Sequence, residues 1–125
     1  MGVVVRFVFV YLFLAVIGGA QAAELNTASY PAHSIRIIIP LAPGSGADNA
    51  VRIITQKMSQ NMGQGFIVEN LPGAAGLIGA DKVAKAKPDG YTLGGFNDSI
   101  LTMVPNVNPK LPWNPIKDFA SISWL

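Results

Sequence analysis

The sequence predicts an α/β fold, a parallel sheet covered by helices and built from βαβ units. Three observations carry this. Strand-like and helix-like segments alternate as β-α-β-α-β-α, the order that right-handed crossovers turn into a parallel sheet. Ile37-Ile38-Ile39 is apolar on both faces, as a strand buried inside such a sheet must be. Each strand runs into a loop rich in Gly, Ala, Ser, Asn or Asp. The alternation places all three loops at the carboxyl ends of the strands, where open α/β sheets bind ligands.

The chain opens on an apolar run, Val3 to Ile17, broken only by Arg6. Phe7 to Ile17 reads as the core of an export signal, and Ala20-Gln21-Ala22 as its small-x-small cleavage site. The expectation is a signal peptide over residues 1–22. The rival, an uncleaved anchor, needs about 20 apolar residues, and the uninterrupted run is shorter. Glu24 to His33 is a polar lead-in. His33, the only histidine, stands beside no titratable partner in sequence and is expected to be solvated.

Ile35 to Ile39 is the first strand. Pro40 and Pro43 forbid a helix through the loop that follows. Helix one is expected to open at Ala47 or Asp48, to bury Ala50, Val51, Ile54, Met58 and Met62, and to stop at Gly63. Phe66 to Val68 is a short second strand, and Glu69 to Gly76 its loop. Helix two runs from about Leu77 to Ala86, with Lys82, Lys85 and Lys87 toward its carboxyl end, where the dipole favours cations. Pro88-Asp89-Gly90 is a turn. Tyr91 to Phe96 is the third strand, and its Gly94-Gly95 pair suggests close packing. Asn97-Asp98-Ser99 caps a short helix through Val104. Pro105 to Pro115 reads as a loop, Trp113 and Trp124 as packing residues, and Ile122 to Leu125 as a further strand.

Composition removes several chemistries. The 125 residues include no cysteine, which excludes thiolate metal sites, disulfides and a cysteine nucleophile. The net charge is +2, and +1 without residues 1–22. That balance gives no reason to invoke nucleic acid. No metal or cofactor signature is present. The first loop, Pro43-Gly44-Ser45-Gly46-Ala47-Asp48-Asn49, lacks the GK[ST] ending of a P-loop, and Asn49 stands where GxGxxG needs its third glycine. Ser45 lies outside G-x-S-x-G and has no convincing base, so no catalytic residue is assigned.

What the three loops share is an ability to hold an anion. A helix start leaves backbone N–H groups unpaired at the positive end of its dipole, and small residues let a ligand come close. One such loop would be an ordinary turn; three on one edge make a binding rim. The candidate ligand-binding residues are Ala42, Pro43, Gly44, Ser45, Gly46, Ala47 and Asp48, then Gly73, Ala74, Ala75 and Gly76, then Asn97, Asp98 and Ser99. Asp48 would repel an anion, so it is expected to orient its loop or to meet a donor group of the ligand.

These residues also form a pattern. Tyr30-Pro31 with Ile35-Arg36, Pro40 to Asp48 with Arg52, Val68-Glu69-Asn70 with Pro72-Gly73-Ala74, Ile78 to Asp81, Val83 to Lys85, Pro88 to Leu93, Leu111-Pro112 with Pro115, and Lys117 to Phe119 come in a characteristic order and spacing. The chain resembles the periplasmic solute receptors of tripartite tricarboxylate transporters, the Bug-type receptors. The resemblance implies a two-lobed, hinge-closing fold of the periplasmic binding protein type II kind. It implies capture of a small carboxylate, partly through the loop after strand one, for the membrane components of such a transporter. It implies no enzymatic activity. Ser45 stands where the family usually has glycine, and Ala75 interrupts the usual glycine pair, so a positive φ there would be strained. Trp113-Asn114 replaces the usual Tyr-Asp, Ser121 a common proline, and Val104 a usual asparagine. A two-lobed receptor needs two domains of roughly 100–150 residues each. Residues 23–125 are therefore expected to be only part of the first lobe. The rival readings are an α/β enzyme or phosphate-binding domain using the same loop, and a fragment that binds nothing.

Overall fold

The computed structural model describes residues 30–123; the expected signal over residues 1–22 and the expected packing role of Trp124 lie outside them. Strand β1 spans Ile35–Ile39, helix α1 Gly46–Met62, strand β2 Phe66–Asn70, helix α2 Leu77–Ala84, strand β3 Thr92–Gly94 and helix α3 Val104–Val107. A 3-10 turn, Ala74–Gly76, leads into α2, and a π-helical turn, Ser99–Met103, leads into α3. The sheet order is β2-β1-β3, and both pairings are parallel. The α/β parallel fold expected from the alternation is the fold found.

β1 is the central strand, which explains its composition. Ile37 and Ile39 point to one face and meet Val51 of α1, with Leu41, Phe66, Val68 and Leu93 around them. The other face carries Arg36 and Ile38 toward α2. Beyond that face a second cluster gathers Ala80, Ile100 and Trp113 with Leu77, Ala84, Phe96, Leu111 and Phe119. Its aromatic rings meet edge to face, Phe96 with Phe119 at 5.3 Å and Trp113 with Phe119 at 5.4 Å. Trp113 is thus a packing residue, as its sequence context suggested.

Several expected boundaries move, each for a physical reason. α1 begins at Gly46 because the Ser45 hydroxyl accepts the Asp48 amide and caps it. Its buried positions are Asp48, Val51 and Thr55, while Ala50, Ile54, Met58 and Met62 are only half-buried. The stripe is the expected one turned slightly, and it admits two polar residues that hydrophobicity alone could not select. β2 runs on through Glu69 and Asn70, expected as loop, because Asn70 lies in register with Ile39 and the Leu71 N–H donates to the Ile39 carbonyl at 2.8 Å. α2 ends at Ala84, two residues early. β3 is shorter than Tyr91 to Phe96, although the Gly95 N–H still reaches the Ile38 carbonyl at 2.8 Å. A Cβ on Gly95 would sit 3.1 Å from Val51 Cγ2 and 3.2 Å from Ile39 Cγ1, which is the close packing the glycine pair suggested.

Two expectations are corrected. Pro105 does not begin a loop: it lies in α3, in helical backbone that runs on unbroken from the Ser99–Met103 turn. Ile122 and Ser123 are not in a strand, and no partner strand lies beside them among the described residues. His33 is exposed as expected, but its ring stacks on Tyr91 with centroids 3.7 Å apart.

Candidate functional site

Because the three strands are parallel, their carboxyl ends share one edge of the sheet, and the three loops leave from it. Contacts hold them together there. Gly76 of the second loop lies against the Pro40 carbonyl, at the root of the first, and against Ile100, just past the third. The Asn70 amide nitrogen, at the end of β2, donates to the Leu41 carbonyl at 3.2 Å. The sequence-predicted loops therefore do converge.

In the first loop most polar groups serve the loop itself. The Gly44 N–H donates to Asp48 Oδ2 at 2.8 Å, the Ser45 N–H to the Ala42 carbonyl at 3.2 Å, and the Asp48 N–H to Ser45 Oγ at 3.3 Å. Asn49 Nδ2 reaches back to the Gly44 carbonyl at 3.3 Å. The Gly46 and Ala47 N–H groups, at the start of α1, have no acceptor among the described residues. Of the loop expected to offer anion donors, the N–H groups of Gly44, Ser45 and Asp48 are thus taken by the loop itself. Ala42, Pro43 and Gly44 are exposed without offering a free amide of that kind at Gly44.

Asp48 is the best-anchored side chain of the site, 2% exposed. Its Oδ1 accepts from Arg52 Nε at 3.0 Å and from Asn70 Nδ2 at 3.0 Å. The Arg52 guanidinium and then the Gly44 amide are the main causes that lower its pKa from 3.8 to about 2; burial opposes them and Asn70 assists. Asp48 thus has both carboxylate oxygens engaged within the chain, by Gly44, Arg52 and Asn70. Its proton is held more weakly in the folded chain than in the unfolded one. The stabilisation it provides is complete above about pH 4 and is lost as pH falls through about 2. Urea melts across this window should show that slope, and Asp48→Asn should flatten it while lowering stability at neutral pH.

The second loop is a left-handed turn. Gly73, Ala74, Ala75 and Gly76 all have positive φ, at 131°, 48°, 55° and 89°. The Gly76 N–H closes the turn on the Gly73 carbonyl at 2.9 Å, and the Ala74 and Ala75 N–H groups are left without a described acceptor. Ala74 and Ala75 are exposed. The strain expected at Ala75 is present. Ala75→Gly should relieve about 1–2 kcal/mol of steric strain against about 0.5–1 kcal/mol of added chain freedom, a small net rise in melting temperature.

In the third loop, Asp98 Oδ1 accepts the Ser99 N–H at 2.9 Å, and Asn97 Oδ1 accepts the Ile100 N–H at 3.4 Å. Asp98 is exposed; Asn97 and Ser99 are half-buried. The loops from Pro40 to Asp48, Leu71 to Gly76 and Gly95 to Ser99 contain no lysine or arginine. Two surface grooves of about 650 and 330 Å³ lie elsewhere, along α1 and β2 and beside Arg36 and Lys82, and neither includes a rim-loop residue. No group of three His, Cys, Asp or Glu able to hold a metal occurs among the described residues. Sequence reading left Arg52 and Asn70 out of the site. The Asp48–Arg52 spacing of four on a helix was the available signal; nothing local marked the reach of Asn70 across to Asp48.

Comparison with known proteins gives a consistent answer. The family described as "Tripartite tricarboxylate transporter family receptor" matches residues 50–125. A protein encoded in the TAR-I ttuE-ttuC' intergenic region of Agrobacterium vitis is 39% identical over 118 residues, 94% of this chain and 33% of that protein. A solved structure described as a periplasmic transporter superposes with a TM-score of 0.69 at 48% identity, over 71% of this chain and 30% of that one. MatC from Rhodopseudomonas palustris, solved with bound malate, gives 0.61 at 34% identity, over 72% of this chain and 31% of its own. The chain spans about a third of the length of these relatives. The family's pattern covers more than half of the chain, and the fold agrees with its solved structures: the chain belongs to the tripartite tricarboxylate transporter receptor family.

Proposed function

We propose that the three-loop rim is one wall of a small-carboxylate site in a periplasmic solute receptor. The observation that carries this reading is the set of unpaired N–H groups at Gly46, Ala47, Ala74 and Ala75, on loops that share the carboxyl edge of the sheet. Neutral amides bind a carboxylate at modest desolvation cost, and a helix start adds the favourable end of the α1 dipole. The ligand candidates of the rim remain residues 42–48, 73–76 and 97–99, with Asp48 orienting the first loop. Malate bound to MatC supports a carboxylate as the ligand class. In this reading residues 1–22 direct export to the periplasm, and the partners are the membrane components of a tripartite transporter. The chain captures its ligand without transforming it, and neither nucleic acid nor a cofactor has a part.

Thermal melts in malate, succinate, citrate, glutamate and benzoate test the reading. A ligand at ten times its Kd adds about 1.4 kcal/mol of stability, which in a domain of this size raises Tm by several degrees. A chain whose Tm is indifferent to every one of these acids at millimolar concentration would not be a carboxylate receptor by itself.

A further inference from the structure

We propose that Asn70 is a positioning residue for anion capture, the joint that holds the first and second rim loops in one fixed relation. The proposal takes its ligand from the carboxylate reading above, but its geometry stands apart from it. Asn70 ends β2, and its side chain makes three hydrogen bonds, one to the first loop and two to α1. Nδ2 donates to the Leu41 carbonyl at 3.2 Å and to Asp48 Oδ1 at 3.0 Å, and Oδ1 accepts from Arg52 Nη2 at 2.9 Å. Asp48 in turn holds the Gly44 N–H. The segment from Leu41 to Gly44 is thereby bracketed. Asn70 grips its first carbonyl directly, and Asp48, itself held by Asn70, grips its last amide.

The main chain of the same residue fixes the second loop. Asn70 lies in register with Ile39, and the next N–H, of Leu71, donates to the Ile39 carbonyl. Gly73 is only two residues further on. A shift of the Asn70 side chain would therefore move the amides of Gly46 and Ala47 relative to those of Ala74 and Ala75. Two points of a carboxylate site keep their spacing only if this joint is rigid.

The chemistry at position 70 is specific. The position needs two N–H donors and one acceptor at once, which a primary amide supplies. An aspartate would keep the shape and the bond from Arg52. It would lose both donors and set a second carboxylate against Asp48, so that the two would share one guanidinium. A structural filler would tolerate that change better than a joint would.

The test compares the full chain with Asn70→Asp and Asn70→Ala by amide hydrogen exchange and by titration with malate. Gly44 reports on the first loop, Gly76 on the second, and Ile37 and Ala80 on the core. The expected result in either variant is exchange at Gly44 and Gly76 faster by about tenfold or more, core protection retained, and malate affinity lower by about tenfold. Asn70→Asp, which preserves volume, keeps the test decisive if Asn70→Ala fails to fold. Unchanged exchange at Gly44 and Gly76, or malate binding equal to that of the parent chain, overturns the proposal. So does loss of core protection in step with the loops, which would make Asn70 a general stabiliser. If the parent chain ignores malate and each of the other acids, the carboxylate reading fails, and the joint is then decided by exchange at Gly44 and Gly76 alone.

Discussion

Ile39→Ala should leave the chain close to unfolded at room temperature. Ile39 is fully buried at the end of the central strand, against Val51, Ile37 and the half-buried Leu41 and Val68. Removing three buried carbons from such a site costs about 3–4 kcal/mol, part as lost transfer energy and part as the cavity left behind. A single small domain has a total stability of only about 5 kcal/mol or somewhat more. The urea midpoint should fall by more than half without a change in slope, and Tm by well over 10 °C, since each kcal/mol shifts it by about 4–8 °C. Ile53→Ala is the control. Ile53 is 70% exposed on the outer side of α1, and its loss should stay within about 0.5 kcal/mol. Equal effects from the two substitutions would mean that β1 is not the centre of the core.

The contrast between those isoleucines shows what the sequence made legible. Ile37-Ile38-Ile39 announced a strand buried on both faces because no alternation relieved its apolarity, and β1 is the middle strand. The glycine loops announced themselves by composition, and parallel topology then required them to share an edge. Less was legible where a polar residue had been buried for a purpose. Asp48 and Thr55 occupy the inner stripe of α1, and periodicity of hydrophobic residues passed over both. Asn70 looked like loop because its sequence neighbours do; its role depends on Leu41, Asp48 and Arg52, which only the folded chain brings to it. Pro105 misled in the opposite direction. A proline inside a helix removes a backbone donor and so reads as a stop, but here it follows a π-helical turn and the helical backbone runs through it. Which amides stay unpaired was not legible either, because hydrogen bonds within a loop, such as Gly44 to Asp48, cannot be read from the residues that compose it.

Gly76→Val should be the most damaging change in the rim. Gly76 has φ of +89° and is buried, and a Cβ there would be driven into Ile100 and lie 3.3 Å from the Pro40 carbonyl. The left-handed conformation costs a side chain about 1–2 kcal/mol. Overpacking against Ile100 and Pro40 adds about 1–3 kcal/mol. The two together approach the stability of the whole domain. Ala75 separates the terms: it carries φ of +55° next door and is exposed, so there the conformational cost stands alone and is tolerated. The separation can be measured. Ile100→Ala removes the side chain that the valine would strike, so in a double-mutant cycle Gly76→Val should cost less in that background than in the parent chain. The part recovered is packing; the part that remains is backbone strain. Because Pro40 roots the first loop, any shift that makes room for the valine also parts the first loop from the second. Malate binding should consequently weaken even in molecules that stay folded. A Gly76→Val chain that melts and binds like the parent would mean that the loops do not meet at Gly76, and with that the rim would lose its shape.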